Sequence, residues 1–339
     1  MSAAPVRVGV LGLGSIAQVV HLPILAELPD VQITAVCDAE PSKARSLAAR
    51  FGIPRVARND AEVMNAEDVD AIVICTPNHL HAEQTIVALD AGKHVLVEKP
   101  IALDAADAER AIAKARASDR TLMVAMNHRY RPDTLALKPF AVGGELGRIF
   151  LCRGAWLNRK YRINRPTWRH RQATAGGGVL MDLGVQALDL ALWVMGFPHV
   201  ESVFCHANPG ENMEVEDTAA LVMRLEGGGC ISLTLSWSLV ADRDRHYMRL
   251  LGTRGSGAIQ PLAVYKEVET GLLDVTPSIT FSRENLYKAS YRQELEHFVR
   301  VIRGEDTVAP ANDQIELMRL IALAYQSARE RREVGVPRA

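Results

Sequence analysis

What most constrains this chain is a series of short, β-branched runs that alternate with helical patterns from Val6 to about residue 125. VRVGVLGL leads into a helical stretch at 15–28, VQITAVC into 41–51, AIVICT into 79–91 and HVLVEK into 104–117, and TLMVAMN closes the series. The runs are nearly continuous in apolar residues rather than alternating, as expected of strands buried on both faces. Such strands, separated by helices, predict a parallel sheet wrapped by helices, because parallel neighbours need a crossover between them.

At 339 residues the chain exceeds one ordinary domain. After Tyr130 the pattern changes to longer strands with partial period-two alternation, such as GRIFLCRGAWLN, TAALVMRLEG and GCISLTLSWSL, interrupted by helical stretches at about 177–196, 284–303 and 313–332. The expected order is α/β followed by α+β. With 48% hydrophobic and 23% charged residues a disordered chain is excluded, and 39 basic against 40 acidic residues leave no overall field for nucleic acid or an anionic membrane surface. Neither is expected as a partner. Five cysteines (Cys37, Cys75, Cys152, Cys205, Cys230) are odd in number and never arranged as C-x-x-C, which points to reduced thiols and a cytoplasmic setting.

Gly12-Leu13-Gly14-Ser15-Ile16-Ala17 follows the first strand and opens the first helix, fitting G-x-G-x-x-G/A with Ala in the last position. Gly12 permits the tight turn, Gly14 lets backbone approach a pyrophosphate, Ala17 allows close helix packing, and the N–H groups at the helix start, around Ser15 and Ile16, receive the phosphates. Asp38 ends the second strand, where it would accept hydrogen bonds from ribose hydroxyls and repel a 2′-phosphate. NAD is therefore the expected cofactor, with NADP the alternative because Lys43 and Arg45 lie near. The expected architecture is an α/β Rossmann domain over residues 1–126 and a C-terminal α+β domain with a large, open, mainly antiparallel sheet over 127–339. The last helix, about 313–332, is free to pack back on the first domain.

Two more loops lie at the carboxyl edge of the parallel sheet, where ligands bind in open α/β folds. One is Thr76-Pro77-Asn78-His79-Leu80-His81 and the other Glu98-Lys99-Pro100. A two-residue histidine spacing is not a structural-zinc pattern, and no metal is expected. Together with GLGSIA, VCD and GGGVLMDLGVQALD, these loops resemble the glucose–fructose oxidoreductase, inositol dehydrogenase and rhizopine-catabolism (Gfo/Idh/MocA) family over nearly the whole chain. The resemblance implies that Thr76, Pro77, Asn78, His81, Glu98 and Lys99 border the cofactor, and that Lys99 binds the substrate and deprotonates its hydroxyl. A lysine desolvated beside a cationic nicotinamide is suited to general-base work.

Asp182, Gln186 and Asp189 share one helix face. Family members commonly carry Asp and His at the first two places, the His transferring the proton. This chain has Gln186 there, which can orient a hydroxyl but has no usable titration. Lys99 is then the sole acid/base, with Asp182 and Gln186 positioning the sugar. Otherwise His128, His170 or Tyr161 supplies the missing group, or catalysis is lost. For Asp189 a structural hydrogen bond is the expected role. Between Arg153 and Arg171 lie six arginines, Lys160, Tyr161, Trp168 and His170; Arg165 and Arg169 suit a carboxylate or phosphate, and Trp168 a sugar face, while a solvated salt-bridge strip is the plain alternative.

The resemblance thus implies NAD(P)-dependent hydride transfer from a secondary hydroxyl of a sugar, cyclitol or related polyol. The alternatives are a glycosidase that retains NAD and oxidises its sugar transiently, and a non-catalytic dinucleotide-binding sensor. A homodimer or homotetramer through the C-terminal sheet is implied as well.

Overall fold

The computed structural model describes residues 4–160, 166–279, 285–309 and 311–337. The chain divides into two compact units, Met1–Asn127 with Tyr287–Glu316, and His128–Leu286 with Leu317–Ala339.

The first unit is built on six parallel strands, β1 (Val6–Leu11), β2 (Val31–Cys37), β3 (Arg55–Val56), β4 (Ala71–Ile74), β5 (His94–Glu98) and β6 (Leu122–Ala125), in the order β3-β2-β1-β4-β5-β6. Every residue of β4 is buried, and so are four of five in β5, as the unbroken apolar runs require. The chain leaves β1 to one side for β2 and returns on its other side as β4. Such a reversal of strand order opens a crevice outside the carboxyl ends of the two central strands. Pro41 at the first turn and Gly52 in the left-handed region bound the helix Pro41–Phe51, while Asn59 and Asp104 cap the helices that follow them.

The second unit holds a nine-stranded sheet of β7 (Ile149–Arg159), β8 (Val200–Pro209), β9 (Glu216–Leu225), β10 (Gly229–Leu239), β11 (Arg245–Gly252), β12 (Gly255–Ile259), β13 (Ala263–Val268), β14 (Gly271–Asp274) and β15 (Val334–Gly335). Its order is β14-β13-β12-β11-β7-β10-β9-β8-β15, and every pairing is antiparallel except β7 with β10. Alternation along β9 puts Ala219, Leu221, Met223 and Leu225 inside and Ala220, Val222 and Arg224 outside. The helical run 172–194 belongs to this unit; it is apolar enough to cross a bilayer by composition, yet 83% of its most apolar window is buried in the protein.

Tyr287–Glu316 returns to the first unit, although the sequence reading assigned everything after 126 to a second domain. The last helix, Asp313–Glu330, instead lies mostly in the second unit. It is held there by Tyr325 bonding Glu216 and by Ser327, which accepts from the Cys205 N–H at 2.9 Å.

Candidate active site

After β1 the chain turns through Gly12 at φ +80°, a conformation that side chains disfavour, and a Cβ there would stand 2.7 Å from the Cys75 carbonyl beyond β4. At Gly14, in contrast, a Cβ would meet nothing within 4 Å, so the backbone lies open to a phosphate at the start of the helix. Ser15 and Ile16 continue that turn, and Ala17 is fully buried. Asp38 locks this arrangement. One carboxylate oxygen accepts from the Leu13 N–H at 2.7 Å, and the other accepts from the Glu40 N–H at 2.8 Å and pairs with the Lys43 ammonium at 2.9 Å. An open glycine, a helix start and a carboxylate tied to the same loop fit a dinucleotide.

The loop after β4 is tied down by its own side chains. The Thr76 hydroxyl donates to Gln84 Oε1 at 2.5 Å, and the Gln84 amide donates to Asp60 Oδ2 at 2.5 Å. Pro77 is half-buried, Asn78 buried and His79 exposed. His81 is buried, its Nδ1 2.7 Å from the Pro100 carbonyl and its Nε2 2.8 Å from the Thr76 carbonyl, so its ring joins this loop to the one after β5. Burial lowers its pKa below the ordinary histidine value, against the pull of the two carbonyls and Glu98.

Lys99, half-buried, follows β5 directly. The preceding Glu98 is buried, with Oε1 2.7 Å from Nε2 of His21, which is itself fully buried in a π-turn, Ala17–His21, of the helix behind the glycine loop. Burial opposes charge on both. The imidazole nevertheless holds the Glu98 carboxyl below its usual range, and Cys75 and Glu98 raise His21 well above the histidine value. Tyr291 sets its ring edge-on to His21 at 5.6 Å. In this structure Glu98 and His81 therefore bond to protein groups and hold the loops.

In the second unit, Gly177 and Gly178 open the helix that carries Asp182. A Cβ on Gly177 would stand 1.8 Å from the Tyr325 hydroxyl, and one on Gly178 1.9 Å from the Glu216 carbonyl oxygen. That close approach lets the buried Glu216 carboxylate accept from the Gly178 N–H at 3.0 Å, the Leu180 N–H at 2.9 Å and the Tyr325 hydroxyl at 2.9 Å, satisfying the helix start. A second π-turn, Leu180–Gly184, follows. From Gly177 to Leu192 every residue is buried except Asp182 and Gln186. Asp189 is a buried partner of Arg129, whose Nε donates to it at 2.8 Å, in accord with the structural role expected for it.

His128 is buried beside Trp156, and His170 is buried with Nδ1 accepting from the Thr167 N–H at 2.9 Å. Trp168 is half-buried under the Arg169 guanidinium, 5.1 Å from its ring centre. Arg159 and Lys160 bind Asp244 and Glu211, as a solvated strip would. Tyr161, Arg162 and Arg165 lie outside the described residues. Sequence reasoning missed His21, Gln84, Glu216 and Tyr325. Of these only His21 left a trace, as a polar residue inside the apolar run AQVVHLPIL.

Residues 6–126 match the model of an oxidoreductase family with an NAD-binding Rossmann fold, and residues 141–336 match the C-terminal alpha/beta domain of the same family. D-glucoside 3-dehydrogenase of Escherichia coli (strain K12) is 28% identical over 97% of both chains. Myo-inositol 2-dehydrogenase of Thermotoga maritima is 25% identical over 97% of this chain and 98% of its own. The crystal structure of GenD2 from gentamicin A biosynthesis, in complex with NAD, superposes with a TM-score of 0.87 at 25% identity, covering 100% of this chain and 98% of that one. Matched in both halves by models of one family, and by relatives along its whole length, the chain belongs to the Gfo/Idh/MocA oxidoreductases, a family of NAD-dependent sugar and polyol dehydrogenases.

Proposed function

We propose that this enzyme reversibly oxidises a secondary hydroxyl of a sugar, cyclitol or related polyol, with Lys99 as its acid/base. The carrying observation is the helical run Leu180–Gly184 and Val185–Val194, in which Asp182 and Gln186, with Trp193 near its end, are the residues that escape full burial. An acceptor and an amide able both to donate and to accept are what a polyhydroxy ring asks of a protein. NAD, when bound, supplies the hydride acceptor. Gly12, Gly14, Ser15 and Ile16 hold its pyrophosphate, Asp38 its ribose, and Thr76, Pro77 and Asn78 border it. Lys99 takes the hydroxyl proton at Nζ and returns it in the reverse direction. Asp182 accepts a hydrogen bond from a sugar hydroxyl, and Gln186 fixes another without moving a proton.

Trp168 offers a sugar face and Arg169 a cation for a substrate carboxylate. The outer face of the second sheet carries the exposed Phe204, Val222 and Leu251, which suits a contact between copies of the chain; light scattering that returned a monomer mass would refute it. All five cysteines are free, in keeping with a reducing, cytoplasmic setting.

The test is a panel of glucosides, cyclitols, anhydrosugars and sugar acids with NAD, followed at the reduced-nicotinamide absorbance. Turnover is expected on at least one, and Lys99→Ala should lower kcat by roughly 10²- to 10⁴-fold with NADH binding unchanged. Tight NADH binding without turnover across the panel would favour the NAD-retaining glycosidase or the sensor.

A further inference from the structure

Lys99 lies between two residues that are each held by a different buried histidine. Before it, the Glu98 carboxylate meets His21 Nε2 at 2.7 Å; after it, the Pro100 carbonyl meets His81 Nδ1 at 2.7 Å. Neither imidazole is open to solvent, at 0% and 1% exposure, and both come from segments that border the cofactor. His21 sits in the π-turn behind the glycine loop, and His81 closes the Thr76 loop through its second ring nitrogen. We propose that His21 and His81 are positioning residues for Lys99, fixing the Glu98-Lys99-Pro100 turn from both flanks and tying it to the two cofactor loops. The inference rests on the role of Lys99 given above.

The reasoning is geometric. A lysine carries four rotatable bonds, so its amine is only as well placed as its backbone. General-base catalysis is sensitive to displacements of an ångström. A two-point clamp in a buried interior removes that freedom at a cost the protein bears elsewhere: the buried Glu98 carboxylate must be met by His21, and the buried His81 ring by two backbone carbonyls. The charges that set the clamp are few. His21 faces Glu98, Cys75 and Tyr291, while His81 faces Glu98, Lys99 and the two carbonyls. A neutral His81 donates to one of its carbonyls and a protonated one to both, so the strength of the link between the loops follows pH.

The experiment compares wild type, His21→Asn, His81→Leu and His81→Gln as NAD-loaded holoenzymes with unchanged thermal unfolding. Two readouts are taken. The first is acetylation of Lys99 by acetic anhydride as a function of pH, measured by mass spectrometry against the exposed Lys160. The second is kcat, KM and the NADH dissociation constant with whichever panel sugar turns over. The clamp predicts that the Lys99 labelling rate at neutral pH changes by at least about threefold. It predicts also that kcat falls on the order of 10- to 100-fold while NADH affinity stays within about twofold. His81→Gln, which keeps a donor, should recover part of the loss. Wild-type labelling and wild-type kcat in a folded variant would overturn the proposal, and so would a parallel loss of NADH affinity, which would make the histidines parts of the cofactor site. If His21→Asn does not fold, the two His81 variants decide. Failure of wild type to oxidise any sugar would count against the dehydrogenase reading, and labelling alone would then decide the clamp.

Discussion

At the scale of the residue, the acidic side chain at the end of the second strand was legible, but its partners were not. Asp38 was placed by its distance from the glycine loop; its bonds to the Glu40 N–H and Lys43 are local, whereas the Leu13 N–H, from the glycine loop itself, reaches it only in the fold. Those bonds have a consequence for cofactor choice. Lys43 stands 2.9 Å from the carboxylate and offsets its repulsion of a 2′-phosphate. Asp38→Ser should therefore shift the NADPH-to-NADH affinity ratio toward NADPH by about tenfold or more, about 1.4 kcal/mol. Lys43→Ala should move the ratio the other way. Fluorescence titration of both coenzymes decides, and an unchanged ratio in Asp38→Ser would remove the assignment. His81 shows the limit from the other side: its motif was visible, but not that both its ring nitrogens would lie against backbone carbonyls of two different loops.

At the scale of the element, the long periodic segments were read with good bounds because burial on one or both faces writes itself into the order of apolar residues. Short or irregular elements escaped. The helix Pro132–Val142 carries Pro139 inside it and has no polar stripe to mark its period, and β3 is two residues long. The π-turns at Ala17–His21 and Leu180–Gly184 were likewise invisible, since they depend on packing rather than on composition. The three glycines before Asp182 were noticed without a reason, and the reason is now specific. Gly178→Ala would drive a methyl group to within 1.9 Å of the Glu216 carbonyl oxygen, which is backbone and cannot swing aside. We expect a loss of about 2 kcal/mol, or roughly 4–8 °C in Tm, and weaker sugar binding as the helix start shifts, with NADH affinity preserved. Calorimetry beside coenzyme titration checks both parts.

At the scale of the whole molecule, the departure lies in the path of the chain. Helix Leu286–Ile302 belongs to the first unit, where Leu295 and Phe298 are buried, Ser290 accepts from the Asn127 amide at 2.9 Å and Arg303 pairs with Asp30 at 3.0 Å. A fragment ending at Asn127 lacks this cover and leaves His21 without Tyr291. It should unfold at markedly lower denaturant than a fragment in which 287–316 is joined to it by a short linker, as urea titration by circular dichroism would show; equal midpoints would contradict the assignment. What the sequence by itself determined is what depends on neighbours along the chain: parallel strands from unbroken apolar runs, the glycine turn from its missing side chains, and the sheet edge on which Thr76 and Lys99 lie. What only the tertiary structure decided is everything that joins distant segments: the pairing of β7 with β10, Glu216 at the start of the Asp182 helix, and the two histidines that flank Lys99. The physical reason is that period and turn chemistry are local. A buried hydrogen bond instead needs two partners whose separation in sequence, 77 residues for His21 and Glu98, carries no trace of their distance in space.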